Sequence, residues 1–130
     1  MWLGVGSALL LSACGVPYPS DPDKWMPDFG IEGDHGAIAI RTDYSAAALT
    51  ARYISQDAAN EAALERCGTG CKVVLKFEGD ELCGALAAGS NKQIGLATGR
   101  PEAAAEASAL AKCEEAGGQN CEIKLSGCND

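Results

Sequence analysis

The sequence predicts an α+β domain in which one strand–strand–helix–strand unit occurs twice. First, the run Gly36-Ala37-Ile38-Ala39 has a close counterpart in Gly84-Ala85-Leu86-Ala87. Second, each half has an Ala-rich helical stretch whose Ala, Leu and Cys residues recur at one constant offset: Ala59, Ala63, Leu64 and Cys67 match Ala105, Ala109, Leu110 and Cys113. We expect about six strands in an antiparallel or mixed sheet, with both helices on one face, braced by disulfides.

The strands are predicted from short apolar runs. Each half has two such runs before its helix and one after it, and the last run opens at a cysteine. In the first half these runs cover residues 36–39, 48–54 and 71–77, and in the second half residues 84–87, 93–97 and 121–125.

The two helices are predicted from their end signals and a narrow stripe of Ala and Leu at helical spacing. The first begins at Ser55, a good N-cap, and ends near Cys67 before Gly68. The second starts with Pro101 as its first residue and ends before Gly117. Small residues on the stripe allow each helix to lie close to a sheet.

The part of the chain before this domain is predicted to be a signal and a tether. Residues 1–13 form an uncharged, mostly apolar segment, which is too short to span a membrane. The run Leu11-Ser12-Ala13-Cys14 resembles a lipobox, which makes Cys14 the lipidation site and membrane anchor. A cleaved signal without lipid is the alternative. No Lys or Arg precedes the apolar run, and we attribute this to a start site placed too far downstream.

Residues 14–33 are predicted to be the lipidated cysteine and a tether, and residues 34–130 the folded domain. Four prolines, at positions 17, 19, 22 and 27, favour an extended conformation for the tether. Trp25 and Met26 are expected to fold back onto the domain or to contact a partner. Gly15 is not the Asp that retains lipoproteins in the inner membrane, so we expect a lipid-anchored protein of the bacterial outer membrane, facing the periplasm or the cell surface.

The charge balance restricts the possible partners. The net charge is −8, and the signal segment carries none of it. Such a chain is unsuited to nucleic acid and is repelled by anionic lipid headgroups. A partner selected by charge would be basic, although an acidic surface is often explained by solubility alone.

The halves also resemble a known family. The runs His35-Gly36-Ala37-Ile38-Ala39, Ala62-Ala63-Leu64-Glu65-Arg66-Cys67, Cys71-Lys72-Val73-Val74 and Cys83-Gly84-Ala85-Leu86-Ala87 look like the bacterial secreted-domain family catalogued as domain of unknown function 4189. The resemblance covers about residues 34–128. It implies this fold and an exported protein. It contributes no catalytic residues, because the family has no established activity.

Six cysteines remain after Cys14, and an even number in an oxidising compartment indicates three disulfides: the residues are Cys67, Cys71, Cys83, Cys113, Cys121 and Cys128. A metal site is disfavoured because the chain has one histidine and no Cys-x-x-Cys. The sequence alone allows many pairings. The duplication favours Cys67–Cys71 and Cys113–Cys121, and Cys83–Cys128 would then join the halves.

No residues are predicted to be catalytic, and no cofactor or metal is expected. His35 lies beside Asp34, but no serine has a nucleophile-elbow context. The working hypothesis is an envelope lipoprotein with a non-catalytic protein-binding domain, acting as an immunity protein or inhibitor toward a basic cell-wall-active enzyme. The alternatives are a small periplasmic hydrolase that uses His35 and a passive structural component of the envelope.

Overall fold

The first half of the domain builds a four-stranded sheet with one helix against it. The structure is a computed structural model that describes residues 25–130. Its first elements are β1 (Trp25–Phe29), β2 (His35–Arg41), β3 (Ala47–Tyr53), α1 (Gln56–Cys67) and β4 (Cys71–Glu78). The strand order is β1-β3-β2-β4. β1 runs parallel to β3, and the other pairs are antiparallel.

The second half repeats the unit as a three-stranded sheet with its own helix. The elements are β5 (Cys83–Ala88), β6 (Ile94–Gly99), α2 (Glu102–Glu115) and β7 (Glu122–Cys128). The order β6-β5-β7 is antiparallel throughout and corresponds to β3-β2-β4 of the first half. The α+β class and the duplicated unit are thereby confirmed.

The two sheets pack face to face, and each helix covers the outer face of its own sheet. Successive residues of a strand point to opposite faces. In β2, Ile38 and Ile40 therefore join the core between the sheets, whereas Ala37 and Ala39 contact the α1 side. The arrangement of two sheets, each with its own helix, differs from the predicted single sheet of about six strands with both helices on one face. The central strands are apolar on both faces, so each sheet needs two covering layers.

Phe77 fills the centre of the interface between the sheets. It is 2% exposed, and its ring lies against two glycines, Gly36 of β2 and Gly84 of β5. A Cβ on Gly36 would lie 2.3 Å from Phe77 Cζ, and one on Gly84 would lie 2.7 Å from Phe77 Cε1. The Phe77 ring therefore occupies the space that side chains at positions 36 and 84 would otherwise fill.

The helix ends agree closely with the sequence. The side-chain oxygen of Ser55 accepts a hydrogen bond from the N–H of Ala58 at 3.1 Å, which confirms the predicted N-cap, and α1 ends at Cys67. In the second half Pro101 is the N-cap of α2, and Glu102 is the first helical residue. The Ala stripes lie against the sheets as expected, because Ala59, Ala63, Ala105 and Ala109 are fully buried.

The first strand lies in a segment that is predicted from the sequence to be part of the tether. Residues 25–29 pair with β3, so ordered structure begins before residue 34. Pro27 has no N–H, but an edge strand can accommodate it because one side of the strand is unpaired. Trp25 packs partly against the core between the sheets. The signal at 1–13, Cys14 and the tether up to residue 24 lie outside the described residues.

The three disulfides join the predicted partners. Cys67–Cys71 links the end of α1 to the first residue of β4. Cys113–Cys121 links the last turn of α2 to the residue just before β7. Cys83–Cys128 connects β5 to β7, whose register places these two residues opposite each other. The third bridge therefore lies within the second sheet and does not join the halves, because Cys83 opens the second unit.

Candidate functional site

Exposed apolar side chains gather at one end of the first sheet. Ile31 is 90% exposed, Ile54 75% and Phe29 47%. Together with their neighbours they line an open depression of about 510 Å³, which we call the Ile31 groove: its residues are Phe29, Gly30, Ile31, Glu32, Arg52, Tyr53 and Ile54. Neighbouring exposed apolar residues on a folded domain indicate a binding surface more often than single ones do.

The groove forms where two parallel strands end side by side. β1 ends at Phe29 opposite Ala51, and β3 continues to Tyr53. The chain then follows β3 closely, since the Gly30 N–H donates to the Ala51 carbonyl at 2.8 Å. A Cβ on Gly33, whose φ is 149°, would lie 2.2 Å from the Tyr53 carbonyl oxygen. Glycine is required there, and it keeps the loop pressed against β3.

Hydrogen bonds fix the loop that carries Ile31 at both ends. Arg52 Nη2 donates to the Ile31 carbonyl at 3.0 Å, and the Arg52 N–H donates to Asn129 Oδ1 at 2.8 Å. Asn129 Nδ2 in turn donates to the carbonyls of Asp34 at 2.8 Å and Gly79 at 3.2 Å. Asn129 is 2% exposed, and its three bonds are part-buried. The apolar Ile31 side chain is thus presented by an anchored backbone.

One wall of the groove is held by an ion pair. The Tyr53 hydroxyl donates to Asp28 Oδ2 at 2.7 Å, and Arg66 Nη2 of α1 lies 3.3 Å from Asp28 Oδ1. Burial alone would raise the pKa of Asp28, but the hydrogen bonds from Arg66 and Tyr53 outweigh it and hold that pKa below its usual value. Burial and the bond to Asp28 raise the pKa of Tyr53. Tyr53 is therefore a neutral donor, fixed in orientation.

Carboxylates surround this end of the sheet. Glu32 belongs to the groove, and its neighbour Asp34 is joined to the turn after β4 by a hydrogen bond from the Gly79 N–H at 2.9 Å. That turn and the end of β4 carry three further exposed carboxylates, on Glu78, Asp80 and Glu81. Three cations lie nearby: Arg52 and Arg100 direct donors at backbone carbonyls, and Arg66 is paired with Asp28. The surroundings of the groove are acidic.

His35, the candidate of the hydrolase alternative, lies beside the groove and not in it. Its side chain is 18% exposed, with Nδ1 3.1 Å from Asp34 Oδ1 and Nε2 3.4 Å from Glu78 Oε2. Nδ1 is buried and has no hydrogen bond of good geometry within residues 25–130. No serine hydroxyl is bonded to the ring in this part of the chain. The structure thus places two carboxylates beside His35 and no nucleophile.

The other predicted positions do not converge on the groove. The six cysteines form disulfides, and Cys14 lies outside the described residues. Within residues 25–130 no cluster of three or more His, Cys, Asp or Glu side chains is arranged to hold a metal. The helices in that range are too short or too polar to cross a bilayer. The groove was not predicted from the sequence, although Ile31 between Gly30 and Gly33 is a signal of an exposed apolar turn.

Comparison with known proteins gives one result for the domain. A family model described as "Domain of unknown function (DUF4189)" matches residues 35–128, from the start of β2 to the end of β7. No curated protein and no solved structure matches the chain.

Proposed function

The chain belongs to the DUF4189 family, a domain of unknown function, and we propose that it binds a basic protein through the Ile31 groove without catalysing a reaction. The observation that carries this proposal is that Ile31 is 90% exposed although hydrogen bonds from Arg52 and Asn129 anchor the backbone of its loop. An apolar side chain exposed on a rigid loop loses little conformational entropy when a partner covers it.

The acidic surroundings support the choice of partner. Glu32, Asp34 and Glu78 lie around an apolar centre, and the whole chain carries a net charge of −8. Charges at the rim of an interface accelerate association and select partners, whereas the apolar centre supplies most of the affinity. A basic surface with a cleft that admits Ile31 fits both features. The partner class that we propose is a basic cell-wall-active enzyme, toward which the domain acts as an immunity protein or inhibitor.

The direction of β1 supports a tether at the opposite end. Trp25 pairs with Ala47 at the start of β3, and Phe29 pairs with Ala51 near its end. The chain before Trp25 therefore enters at the end of the sheet remote from the groove. If Cys14 carries lipid, as its lipobox suggests, the tether joins the domain at the end opposite the groove, which leaves the groove accessible to a protein arriving from outside the envelope or from the periplasm.

The test is capture from an envelope extract of the native host under mild cross-linking. The wild-type chain is compared with Ile31→Asp and with Tyr44→Asp. Tyr44 is a control because it is 38% exposed, lies outside the groove and has a φ of 63°, which Asp tolerates. We expect one basic protein to be retained by the wild type and by Tyr44→Asp and lost with Ile31→Asp. Equal recovery with Ile31→Asp, or recovery of acidic proteins only, overturns the proposal.

A further inference from the structure

The outer edge of β6 is unpaired within residues 25–130. β6 is the first strand in the order β6-β5-β7, and no strand lies beyond it. Its counterpart in the first half is β3, and there β1 occupies the corresponding position. The duplicated architecture therefore accepts a further strand at this position, which the second half leaves open.

The composition of β6 leaves this edge unprotected. Its sequence, Ile94–Gly99, contains neither a charged residue nor a proline. The remaining edge strands carry such residues: Pro27 and Asp28 on β1, Lys72 and Lys76 on β4, Glu122 and Lys124 on β7. Charges and prolines on edge strands prevent pairing with other chains, so the absence of both from β6 permits it.

One face of β6 packs against α2, and the other faces the core between the sheets. Gly95 lies directly under α2, since a Cβ there would be 2.1 Å from the Ala109 carbonyl oxygen. Ile94 and Leu96 point to the other face, where they are partly buried against the core between the sheets. A strand added beside β6 would cover the exposed parts of these two side chains.

The flank of α2 nearest this edge has the small residue Ser108 near its centre. The Ser126 hydroxyl of β7 bonds to Glu106 at 2.7 Å, so the Glu106 side of α2 points toward β7 and away from β6. At about 100° per residue, the opposite side carries Ala104, Ser108, Lys112 and Glu115. Lys112 and Glu115 are exposed. Ser108 is therefore the small residue at which a second helix can approach this flank.

We propose that β6 pairs antiparallel with β6 of a second copy of this chain, which joins the two three-stranded sheets into one. A two-fold axis perpendicular to the sheet makes residues of the same face meet. With Leu96 on the axis, Ile94 lies opposite Thr98 of the second copy. The Ser108 flanks of the two α2 helices then face each other.

We expect the strand that pairs with β6 to come from a second copy of the chain, because the uncharged edge of β6 can pair with an identical edge. Although the chain carries a net charge of −8, the paired strands bring no like charges together. A basic partner would find no carboxylate on β6. Two-fold pairing also satisfies the outward N–H and C=O groups of both strands equally. One strand pair with a helix contact is a small interface, so the dimer is expected to be weak and dependent on concentration.

Sedimentation velocity of the full-length chain over a concentration series tests this. Thr98→Lys adds a charge to the exposed side of β6, and Ser108→Arg obstructs the helix contact. Thr69→Lys is the matched control, since Thr69 is also exposed but lies in the turn before β4. We expect a monomer–dimer equilibrium in the wild type and in Thr69→Lys. The dissociation constant should rise at least about tenfold in the other two variants, with unchanged circular dichroism.

A wild type that stays monomeric at every concentration overturns the proposal. Association that persists in Thr98→Lys also overturns it, because another surface or residues 1–24 would then hold the copies together. Amide hydrogen exchange provides an independent readout. It should slow in Ile94–Gly99 as the wild-type concentration rises, and unchanged exchange in that strand contradicts the pairing.

Discussion

The N–H of Arg52 donates a 2.8 Å hydrogen bond to the side-chain carbonyl of Asn129, which links the end of β3 to the residue that follows β7. The same Asn129 amide bonds the carbonyls of Asp34 and Gly79. A single buried side chain therefore positions the loop that carries Ile31, the turn after β4 and the end of the second sheet.

Asn129→Ala should reduce the free energy of unfolding by about 1–3 kcal/mol, because it leaves the Arg52 N–H without its partner and removes one of the two hydrogen bonds at the Asp34 and Gly79 carbonyls. Urea denaturation followed by circular dichroism measures this. Asn91→Ala is the control, since Asn91 bonds Gly117 and Gln119 at an exposed site. If the two variants lose the same stability, Asn129 does not have the role described.

Gly84→Ala should cost about 1–3 kcal/mol, since the new methyl group would overlap the Phe77 ring. The loss should be partly recovered by Phe77→Leu in the same chain, because the smaller side chain frees that space. A double-mutant cycle from urea denaturation gives the coupling. Strictly additive effects would show that the ring and the glycine do not share one space.

The stability contributed by Asp28 should depend on pH in a defined direction. Because its folded-state pKa is lowered, the contribution is complete above the ordinary pKa of Asp and disappears as the pH falls through the folded value. Asp28→Asn should therefore cost about 0.2–1 kcal/mol at neutral pH and less in acid. Thermal unfolding from neutral to acidic pH checks this, with Glu61→Gln on α1 as the exposed control. A constant difference at all pH values would contradict the assignment.

Removal of different disulfides should cost different amounts. Cys83 and Cys128 are 45 residues apart in sequence, whereas Cys67 and Cys71 are 4 apart. In the chain-entropy model the longer loop constrains the unfolded state more, by about 2 kcal/mol. Replacing Cys83 and Cys128 by Ala should thus destabilise more than replacing Cys67 and Cys71. Denaturation of the two double variants measures this, and the reverse order would contradict the entropic account.

The sequence predicted much of the fold because its signals are local. Ser55 and Gly68 define the ends of α1, and the match of Cys67 with Cys113 reveals the duplication. The separation into two sheets was not predictable in this way, because it depends on how Phe77 meets Gly36 and Gly84 across the core. The groove was missed for a related reason. Ile31 lies in a segment that contains Pro27 and resembles a linker until β1 is paired with β3.

The measurement that most directly tests the central claim is amide hydrogen exchange of the wild-type chain with and without the purified basic protein that it captures. Slower exchange should be concentrated in residues 29–34 and 52–54, and raised salt should weaken it because charge contributes to association. Ile31→Asp should show no slowing at the same partner concentration. Protection that leaves those segments unchanged, or that is identical in Ile31→Asp, would contradict the groove as the binding site.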